Sequence, residues 1–428
     1  MKNNLSGKRL LILGGNPETG ALVKFANELG IHTIVIDPNP NSPAKKTAIE
    51  SYEVEVMNLE ALLEKAKQLH LDGVLVGVAD ILVPSYYQLC NALGFPCYAT
   101  LDSIDVFTTK NGFRNRCEKY GIGVIPYYQV EKDFTDSDIS EINFPVLVKP
   151  VDNGAGVGMN VSTNSSELKE HIETAISNSK RKEYLVEKYM DCDDMLVYYT
   201  ISDGVPYLSA AADRYTTKIQ KVGSPVCSLA RYPSKYLDLY IEDVHNKVVN
   251  LIADTGVKNG VLNIQFFVDG DQFYAYDPGF RLQGEAPHLY LNKINDFDNR
   301  KMLINFALTS STKEPDLKLK NDASFRGKFA GTIWVLLKEG QIGQIIGLYE
   351  IKQFPANFQI IQRLNVGDQV SKEMIGTERQ VFGRFYIVAD SHKELIENIK
   401  FIQNTLKISN TDGEDMVLEI FDVNKISL

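Results

Sequence analysis

Lys149 and the glycine-rich segment after it are the residues whose types and spacing are best suited to binding phosphate. Lys149 lies near the end of the apolar run FPVLVK, which predicts a buried strand with the ammonium group at its end. The glycines that follow would let backbone N–H groups approach phosphate oxygens closely. A glycine loop alone is more often a hairpin turn, but Lys149 at this offset favours phosphate binding. The candidate loop residues are Asn153, Gly154, Ala155, Gly156, Val157 and Gly158.

A second candidate element lies at residues 184–196. The apolar strand Tyr184–Val186 leads into a short segment whose backbone edge could donate to and accept from a purine. Asp194, seven residues after Glu187, carries a carboxylate that could accept hydrogen bonds from ribose hydroxyls. Taken alone, such a segment is more often a solvated charged turn. The edge residues are Glu187, Lys188, Tyr189 and Met190.

A third element places two oxygen ligands on neighbouring strands. Gln265 and Asp277 are twelve residues apart, on either side of a predicted hairpin turn at Asp269-Gly270-Asp271. Mg²⁺ with nucleotide phosphates needs only one or two protein oxygens, because it keeps several waters. Arg281 follows four residues later and could bind an anionic group through two hydrogen bonds. The alternative is a hydrogen-bonded glutamine and a surface aspartate without a metal.

The elements that must position these residues begin with a βαβαβ alternation. This alternation predicts an open parallel sheet with right-handed crossovers. Polar residues 311–324 have no apolar period and predict a linker, after which strands and one helix form a smaller α+β part. The predicted N-terminal strands are at 10–13, 31–37 and 73–78, and the helices between them are at 19–29 and 59–69.

The turn GGNPETG at 14–20 follows the first strand and could bind phosphate at a helix N-terminus. It lacks both the GK[ST] ending of a P-loop and the GxGxxG pattern of dinucleotide-binding turns. Asp37 does end the second strand, where a ribose-binding acid would lie. Binding of a nicotinamide cofactor is therefore a minor alternative to a plain strand-to-helix turn.

Composition restricts the partners of this chain of 428 residues. The net charge of −10 argues against non-specific binding to nucleic acid or to anionic lipid. No apolar run approaches the roughly 18 residues of a membrane span. The five cysteines are odd in number and form no CxxC pair, which indicates reduced thiols in a cytosolic protein and no zinc site.

In their order and spacing the three elements resemble the ATP-grasp superfamily, in its carboxylate–amine ligase, carbamoyl phosphate synthase and biotin carboxylase branch. The resemblance covers nearly the whole chain. It implies an N-terminal α/β domain at 1–103, an ATP-grasp domain at 104–310 with a mobile lid at about 120–190, and a C-terminal α+β domain at 325–428. The implied cofactors are ATP and Mg²⁺.

The resemblance also implies roles for individual residues. Lys110, with Arg114 as second choice, and Lys149 would bind the nucleotide phosphates beneath the glycine loop. Glu187 to Met190 would form the adenine hinge, and Asp194 would be the ribose acid.

Two parts of the family pattern are altered or undecided. The family's last strand reads E-x-N-x-R, where this chain has Asp277 and Gly279, so Gln265 and Asp277 would hold one ion and water would fill the missing Asn position. Arg281 would contact the acyl phosphate. Basic residues before the long helix should hold the transferring phosphate, and Arg231 is chosen from a set that also contains Arg214, Lys218 and Lys221. His288 is expected to be structural.

The function implied is an ATP-dependent ligase that phosphorylates a substrate carboxylate and couples the acyl phosphate to an amine. Its partners would be small molecules, and a homodimer is common in similar proteins. The sequence names neither substrate and leaves open bicarbonate as the phosphorylated species, the number of metal ions and the oligomeric state. A non-catalytic nucleotide-binding homologue and a nicotinamide-dependent oxidoreductase remain as alternatives.

Overall fold

The computed structural model describes residues 5–151, 158–217 and 226–426. The N-terminal part is an open sheet whose strands all pair in parallel, as the alternation predicted. It contains β1 (Arg9–Leu13), β2 (His32–Ile36), β3 (Glu50–Tyr52) and β4 (Gly73–Val76), in the order β3–β2–β1–β4. Its helices are α1 (Pro17–Glu28), α2 (Leu59–Lys67) and α3 (Val83–Leu93).

The turn between β1 and α1 uses its polar groups within the fold. The Asn16 side chain caps α1 by accepting from the Thr19 N–H at 2.8 Å, and it donates to the Val78 carbonyl at 2.6 Å. A Cβ at Gly15 would lie 2.5 Å from the Asp37 carboxyl carbon, so these two residues are already in close contact. The arrangement fits a strand-to-helix turn, and it disfavours a dinucleotide lying between Gly15 and Asp37.

Two short helices lead into a separate small sheet, the lid, which has its own hydrophobic core. That core is formed by residues such as Val146, Val148, Leu168 and Ile172, all of them fully or almost fully buried. The helices before the lid are α4 (Leu101–Thr108) and α5 (Lys110–Lys119). The lid consists of β5 (Tyr127–Tyr128), β6 (Val146–Pro150), β7 (Asn160–Ser162), α6 (Ser165–Asn178) and β8 (Tyr184–Lys188), with strand order β5–β8–β6–β7.

The central part is an antiparallel sheet covered by helices. Its strands are β9 (Asp193–Ser202), β10 (Val205–Thr216), β11 (Cys227–Tyr232), β12 (Gly260–Asp269) and β13 (Gln272–Gly279). Its helices are α7 (Leu237–Tyr240), α8 (Asn246–Asp254), α9 (His288–Asn295), α10 (Asn299–Thr309) and α11 (Leu317–Lys320). One continuous hydrophobic core joins this part to the N-terminal sheet.

The central sheet continues into the C-terminal part of the chain. Its eight strands run in the order β13–β12–β9–β10–β11–β14–β18–β16, and a second small sheet has the order β17–β15–β19. The elements are β14 (Phe329–Leu336), β15 (Gly340–Ile346), α12 (Leu348–Gln353), β16 (Asn357–Gln362), β17 (Gln369–Val370), β18 (Val381–Ala389), α13 (His392–Thr405) and β19 (Lys407–Asn410).

The polar segment 311–324 is packed against the central part. The Thr312 hydroxyl contacts the Ser202 hydroxyl at 2.7 Å, and Leu317 and Asn321 are buried. The mixed fold class is confirmed, while the domain boundaries stay a prediction because the eight-stranded sheet spans the last of them.

Three further observations concern membranes, metals and thiols. In the described ranges no helix is long and apolar enough to cross a bilayer. Those ranges also hold no group of three or more His, Cys, Asp or Glu side chains arranged to bind a metal ion. The cysteines Cys90, Cys97, Cys117, Cys192 and Cys227 are free thiols.

Candidate active site

The β12–β13 hairpin places the two predicted metal ligands directly opposite each other. Gln265 pairs with Asp277 in the antiparallel register, and Asn263 pairs with Gly279 two residues along. Cross-strand partners project from the same face of a sheet, so all four positions face one side. Arg281 follows just after the end of β13. The predicted hairpin and its consequence for Gln265 and Asp277 are therefore present in the structure.

Charged residues from three parts of the fold interact electrostatically with Asp277. The surrounding protein, which desolvates the carboxylate, and the nearby Asp80 carboxylate raise the pKa of Asp277 to about 6, although the residue is solvent-exposed by surface area. The positive charges of Arg281, Lys110 and Lys149 oppose this shift. We call these five residues the Asp277 cluster. The structure thus brings together four residues that the sequence selected, and it adds Asp80.

Asp80 reaches the cluster from the N-terminal sheet. It lies in the turn that follows β4, at the carboxyl edge of the parallel strands, where ligands of open sheets bind. Its carboxylate accepts from the Arg281 guanidinium at 2.6 Å. Sequence reasoning missed Asp80, although its place just after the third predicted strand was the available signal.

Lys149 is held by a buried carboxylate on the neighbouring strand of the lid. Its ammonium lies 2.5 Å from one Glu187 oxygen, and Arg114 donates to the other oxygen at 2.7 Å. The Glu187 side chain is only 4% exposed, so two cations compensate one buried charge. Arg114 also stacks on Tyr127, with its guanidinium 4.3 Å from the ring centre. Glu187 therefore positions Lys149, and Arg114 binds the same Glu187 carboxylate.

The predicted adenine hinge is partly used by the lid itself. The Lys188 N–H donates to the Pro126 carbonyl at 2.8 Å, and the Tyr189 N–H donates to the Pro145 carbonyl at 3.2 Å. Met190 follows just beyond the strand. Any donor from this segment to adenine would consequently come from the Met190 backbone, and the hinge assignment stays a prediction.

Only the last residue of the predicted glycine loop lies among the described residues. Asn153, Gly154, Ala155, Gly156 and Val157 lie outside the described residues. Gly158, the last residue of the predicted loop, has a φ of 75°, which favours glycine. A Cβ there would also lie 2.8 Å from the Asn178 side chain.

Arg214 is the centre of a buried polar network beside the Asp277 cluster. Its guanidinium donates to Asp194 at 2.9 Å, to Glu285 at 3.1 Å and to the Gln265 side-chain oxygen at 2.9 Å. Tyr276 donates to the same Gln265 oxygen at 2.6 Å. Burial raises the pKa of Asp194 to about 6, while the charge of Arg214 favours its ionised form. Asp194, expected to meet ribose, instead contacts Arg214 and Tyr276.

The choice of Arg231 as a phosphate-binding residue is not supported. Its side chain is 4% exposed and donates to Asp213 at 3.2 Å and to the Pro233 carbonyl at 2.6 Å. Of the two described members of the basic set, Arg214 is the one beside the site. Lys218 and Lys221 lie outside the described residues.

The two predicted metal ligands differ in their fit to Mg²⁺. Arginine is a donor only, so the Gln265 atom that contacts Arg214 must be the amide oxygen. The Gln265 amide nitrogen then faces Asp277, 3.4 Å from a carboxylate oxygen. Asp277 fits a hard cation such as Mg²⁺, whereas Gln265 presents N–H groups on that side. The expectation that Gln265 is a ligand is therefore not supported by its orientation.

The space beside Gly279 is filled by protein and leaves no room for the expected water. The Asn263 side chain donates to the Gly279 carbonyl at 2.9 Å, and a Cβ at Gly279 would lie 2.6 Å from that amide nitrogen. A side chain at position 279 would therefore have to displace Asn263, which is 3% exposed.

Comparison with known proteins agrees with this geometry. The family model described as D-ala D-ala ligase C-terminus matches residues 117–245. An L-amino acid ligase from Bacillus licheniformis superimposes with a TM-score of 0.75 at 17% identity, covering 95% of this chain and 99% of that chain. The chain thus shares the fold of that ligase over nearly its whole length.

Two more proteins to which the chain is similar are informative. The biotin carboxylase domain of Hydrogenobacter thermophilus 2-oxoglutarate carboxylase, solved with MgADP and bicarbonate, superimposes with a TM-score of 0.71 at 16% identity over 96% of this chain and 91% of that one. The formate-dependent phosphoribosylglycinamide formyltransferase of Francisella tularensis subsp. tularensis (strain WY96-3418) is 23% identical over 308 residues, which are 69% of this chain and 76% of that protein.

Replacing Gly279 by asparagine should lower the stability of the chain. The new Cβ would overlap Asn263, and overpacking of this kind typically costs about 1–3 kcal/mol. Thermal unfolding of Gly279→Asn measures the loss. The double variant Asn263→Ala/Gly279→Asn places the side-chain amide on β13 instead of β12 and should recover most of the lost stability. An unchanged melting temperature in the single variant would contradict the packing described here.

His288 should make the fold sensitive to acid. Burial lowers the pKa of His288 to about 3, far below its usual 6.5. Between pH 6.5 and pH 3, His288 is protonated in the unfolded chain and neutral in the folded chain. The free energy of unfolding therefore falls by about 1.4 kcal/mol for each pH unit by which the pH is lowered in this range. Urea unfolding at pH 7 and at pH 5 should give a smaller difference in His288→Gln than in the parent. Equal differences would show that the pKa of His288 is the same in the folded and the unfolded chain, and would contradict its burial in a neutral state.

Proposed function

We propose that the chain is an ATP-dependent ligase that joins a small-molecule carboxylate to an amine. The observation that carries the proposal is the Asp277 cluster, in which one carboxylate is faced by Lys110, Lys149 and Arg281 within an ATP-grasp fold. Three cations and a hard-oxygen ligand form the kind of site that binds and polarises the phosphates of a nucleotide. The relatives' printed names, a ligase, a carboxylase and a formyltransferase, support this class of reaction.

The proposed reaction has two steps. A carboxylate oxygen of the substrate attacks the γ-phosphorus of ATP, and the bond to ADP breaks. The amine nitrogen then attacks the acyl carbon, phosphate leaves with its electron pair, and the amine loses a proton to form the amide. The protein's role in both steps is positioning and neutralisation of charge, so no nucleophilic side chain is required.

Individual residues would act as follows. Lys110 and Lys149 bind the phosphates, and Glu187 fixes the Lys149 ammonium beside them. Asp277 holds Mg²⁺, which would neutralise phosphate charge when bound. Arg281, oriented by Asp80, contacts the acyl phosphate. The hinge at Met190, the ribose contact, a homodimeric assembly and a cytoplasmic location stay predictions.

A non-catalytic nucleotide-binding role is the second candidate. It is favoured by the reduced ligand set, in which Asp277 is the only carboxylate of the Gln265–Asp277 pair and Gly279 adds no side chain. The two candidates differ in turnover and share ATP binding.

Release of ADP across a matrix of carboxylates and amines is the experiment that separates the candidates. The carboxylate set includes bicarbonate and formate, which are its smallest members. We expect ADP release that needs one carboxylate, and an amide product that needs one amine as well. ATP binding without ADP release from any pair would favour the non-catalytic role, and absence of ATP binding would contradict both.

Lys149→Met should weaken ATP binding without unfolding the protein. A charge-assisted contact to phosphate contributes about 1.5–3 kcal/mol, which corresponds to roughly 10-fold to 150-fold in affinity. Methionine keeps an unbranched apolar stem one atom shorter than that of lysine, and Arg114 remains to compensate Glu187. Calorimetric titration with a non-hydrolysable ATP analogue measures the change.

Lys132→Met is the matched control. Lys132 is an exposed lysine of the same lid and pairs with Glu173 on its surface. It should bind the analogue as the parent does. Equal affinities for the ATP analogue in both variants and the parent would contradict the assignment of Lys149 as a phosphate-binding residue.

A further inference from the structure

Two of the five cysteines lie against each other at the end of α3. Cys90 is in the last turn of this helix, and its carbonyl accepts from the Gly94 N–H and, at 3.0 Å, from the Phe95 N–H. Gly94, with a φ of 73°, turns the chain back toward the helix. Cys97 thereby returns to Cys90, and the two thiols are hydrogen-bonded to each other.

A buried tyrosine one turn earlier in α3 fixes this approach. Tyr86 precedes Cys90 by four residues, so both side chains project from the same face of the helix. The Tyr86 hydroxyl hydrogen-bonds to both thiols and accepts from the Tyr98 N–H at 3.3 Å. The rings of Tyr86 and Tyr98 have their centres 4.9 Å apart. Cys97, the residue before Tyr98, is therefore held beside Cys90 by contacts that do not involve the thiols.

The two thiols differ in exposure and in acidity. Cys90 is fully buried, and this burial raises the pKa of its thiol, whereas Cys97 is only partly buried. The hydrogen bond from Cys90 lowers the pKa of the Cys97 thiol against the effect of burial, and the Ala99 N–H lowers it further. A thiol of lowered pKa that solvent can reach is the one that reacts with oxidants. Cys97 is thus the nucleophile of the pair.

We propose that Cys90 and Cys97 form a reversible disulfide when the protein meets hydrogen peroxide. The Cys97 thiolate attacks one peroxide oxygen, the O–O bond breaks and hydroxide leaves, so that Cys97 becomes a sulfenic acid. The Cys90 sulfur then attacks the Cys97 sulfur, and the departing hydroxide takes the Cys90 proton to form water. Two thiols lose two electrons in all, and one peroxide becomes two waters. Exchange with a thiol reductant restores both cysteines.

The disulfide would act on the candidate active site through Tyr98. The Tyr98 hydroxyl donates to the Phe280 carbonyl at 3.4 Å, and the two rings meet edge to face with centres 5.1 Å apart. Phe280 directly precedes Arg281. An S–S bond of about 2 Å is shorter than a hydrogen bond between two sulfurs, so its formation draws Cys97 toward α3 and moves Tyr98 with it. If the chain is the ligase proposed above, oxidation should therefore slow ADP release.

Peptide mapping of the peroxide-treated protein tests the disulfide. Trypsin leaves both cysteines in one peptide, residues 68–110, because no lysine or arginine lies between Lys67 and Lys110. After treatment with a small molar excess of hydrogen peroxide and alkylation of the unfolded chain, this peptide should carry no alkyl group and should be two hydrogens lighter than its reduced form. Dithiothreitol before alkylation should restore both alkyl groups. Cys192 is the internal control, because it is also partly buried and its pKa is raised to about 11.

Variants separate the two chemical steps. In Cys90→Ala the reaction should stop at the Cys97 sulfenic acid, which dimedone labels, whereas the parent should take up little dimedone. Both thiols of the parent remaining open to alkylation, or Cys192 reacting as readily as Cys97, would overturn the inference.

The rate of ADP release tests the effect on the active site. Peroxide should lower this rate about threefold or more in the parent, dithiothreitol should restore it, and Cys97→Ala should be insensitive to both. An unchanged rate in a parent that has formed the disulfide would overturn the link through Tyr98. A parent that releases no ADP with any substrate pair would contradict the ligase proposal alone, because the mapping of the disulfide requires no turnover.

Discussion

The register between β12 and β13 is the constraint on which the site depends. It sets Gln265 against Asp277 and Asn263 against Gly279, all on one face of the sheet. Because side chains alternate between the faces of a strand, a slip of β13 by one residue would turn Asp277 and Gly279 to the face opposite Gln265 and Asn263. The hairpin is pinned at its open end by the Asn263–Gly279 hydrogen bond and packed inside by Phe266 and Phe273. The same pairing that builds the sheet thus places the proposed metal ligand Asp277 among its neighbours.

The charged residues around this hairpin are compensated unequally, and the inequality has a functional meaning. Glu187 has two cations, and Arg214 has two carboxylates, so both pairs are structural supports. Removing the central group of either set, Glu187 or Arg214, would leave its partners buried without compensation, which is strongly destabilising. Asp277 differs, because its pKa is raised to about 6 and its cations act from a distance. A carboxylate left in this state is suited to a cation that arrives with the nucleotide.

The sequence predicted the residues that local pattern determines. Lys149 at a strand end, and Gln265 opposite Asp277 across a hairpin, follow from alternation and turn chemistry. The choice between Arg214 and Arg231 could not be made this way, because β11 is covered on both faces. All six residues of β11 are buried, so no alternation of polar and apolar residues marks the face toward the site. Asp80 was missed because its contact with Arg281 joins residues 201 positions apart.

The turn after β13 shows why three separate parts of the chain are needed for one site. Asp80, from the N-terminal sheet, holds Arg281 at the start of this turn. From the C-terminal strand β18, Arg384 donates to the Gly284 carbonyl, and Tyr386 donates to the Glu285 carbonyl at 3.2 Å. Glu285 in turn holds Arg214. The backbone between Arg281 and Glu285 is thus fixed from both sides, so both guanidinium groups keep their positions relative to Asp277. The N-terminal and C-terminal parts thereby act on the chemistry through the backbone of a five-residue turn.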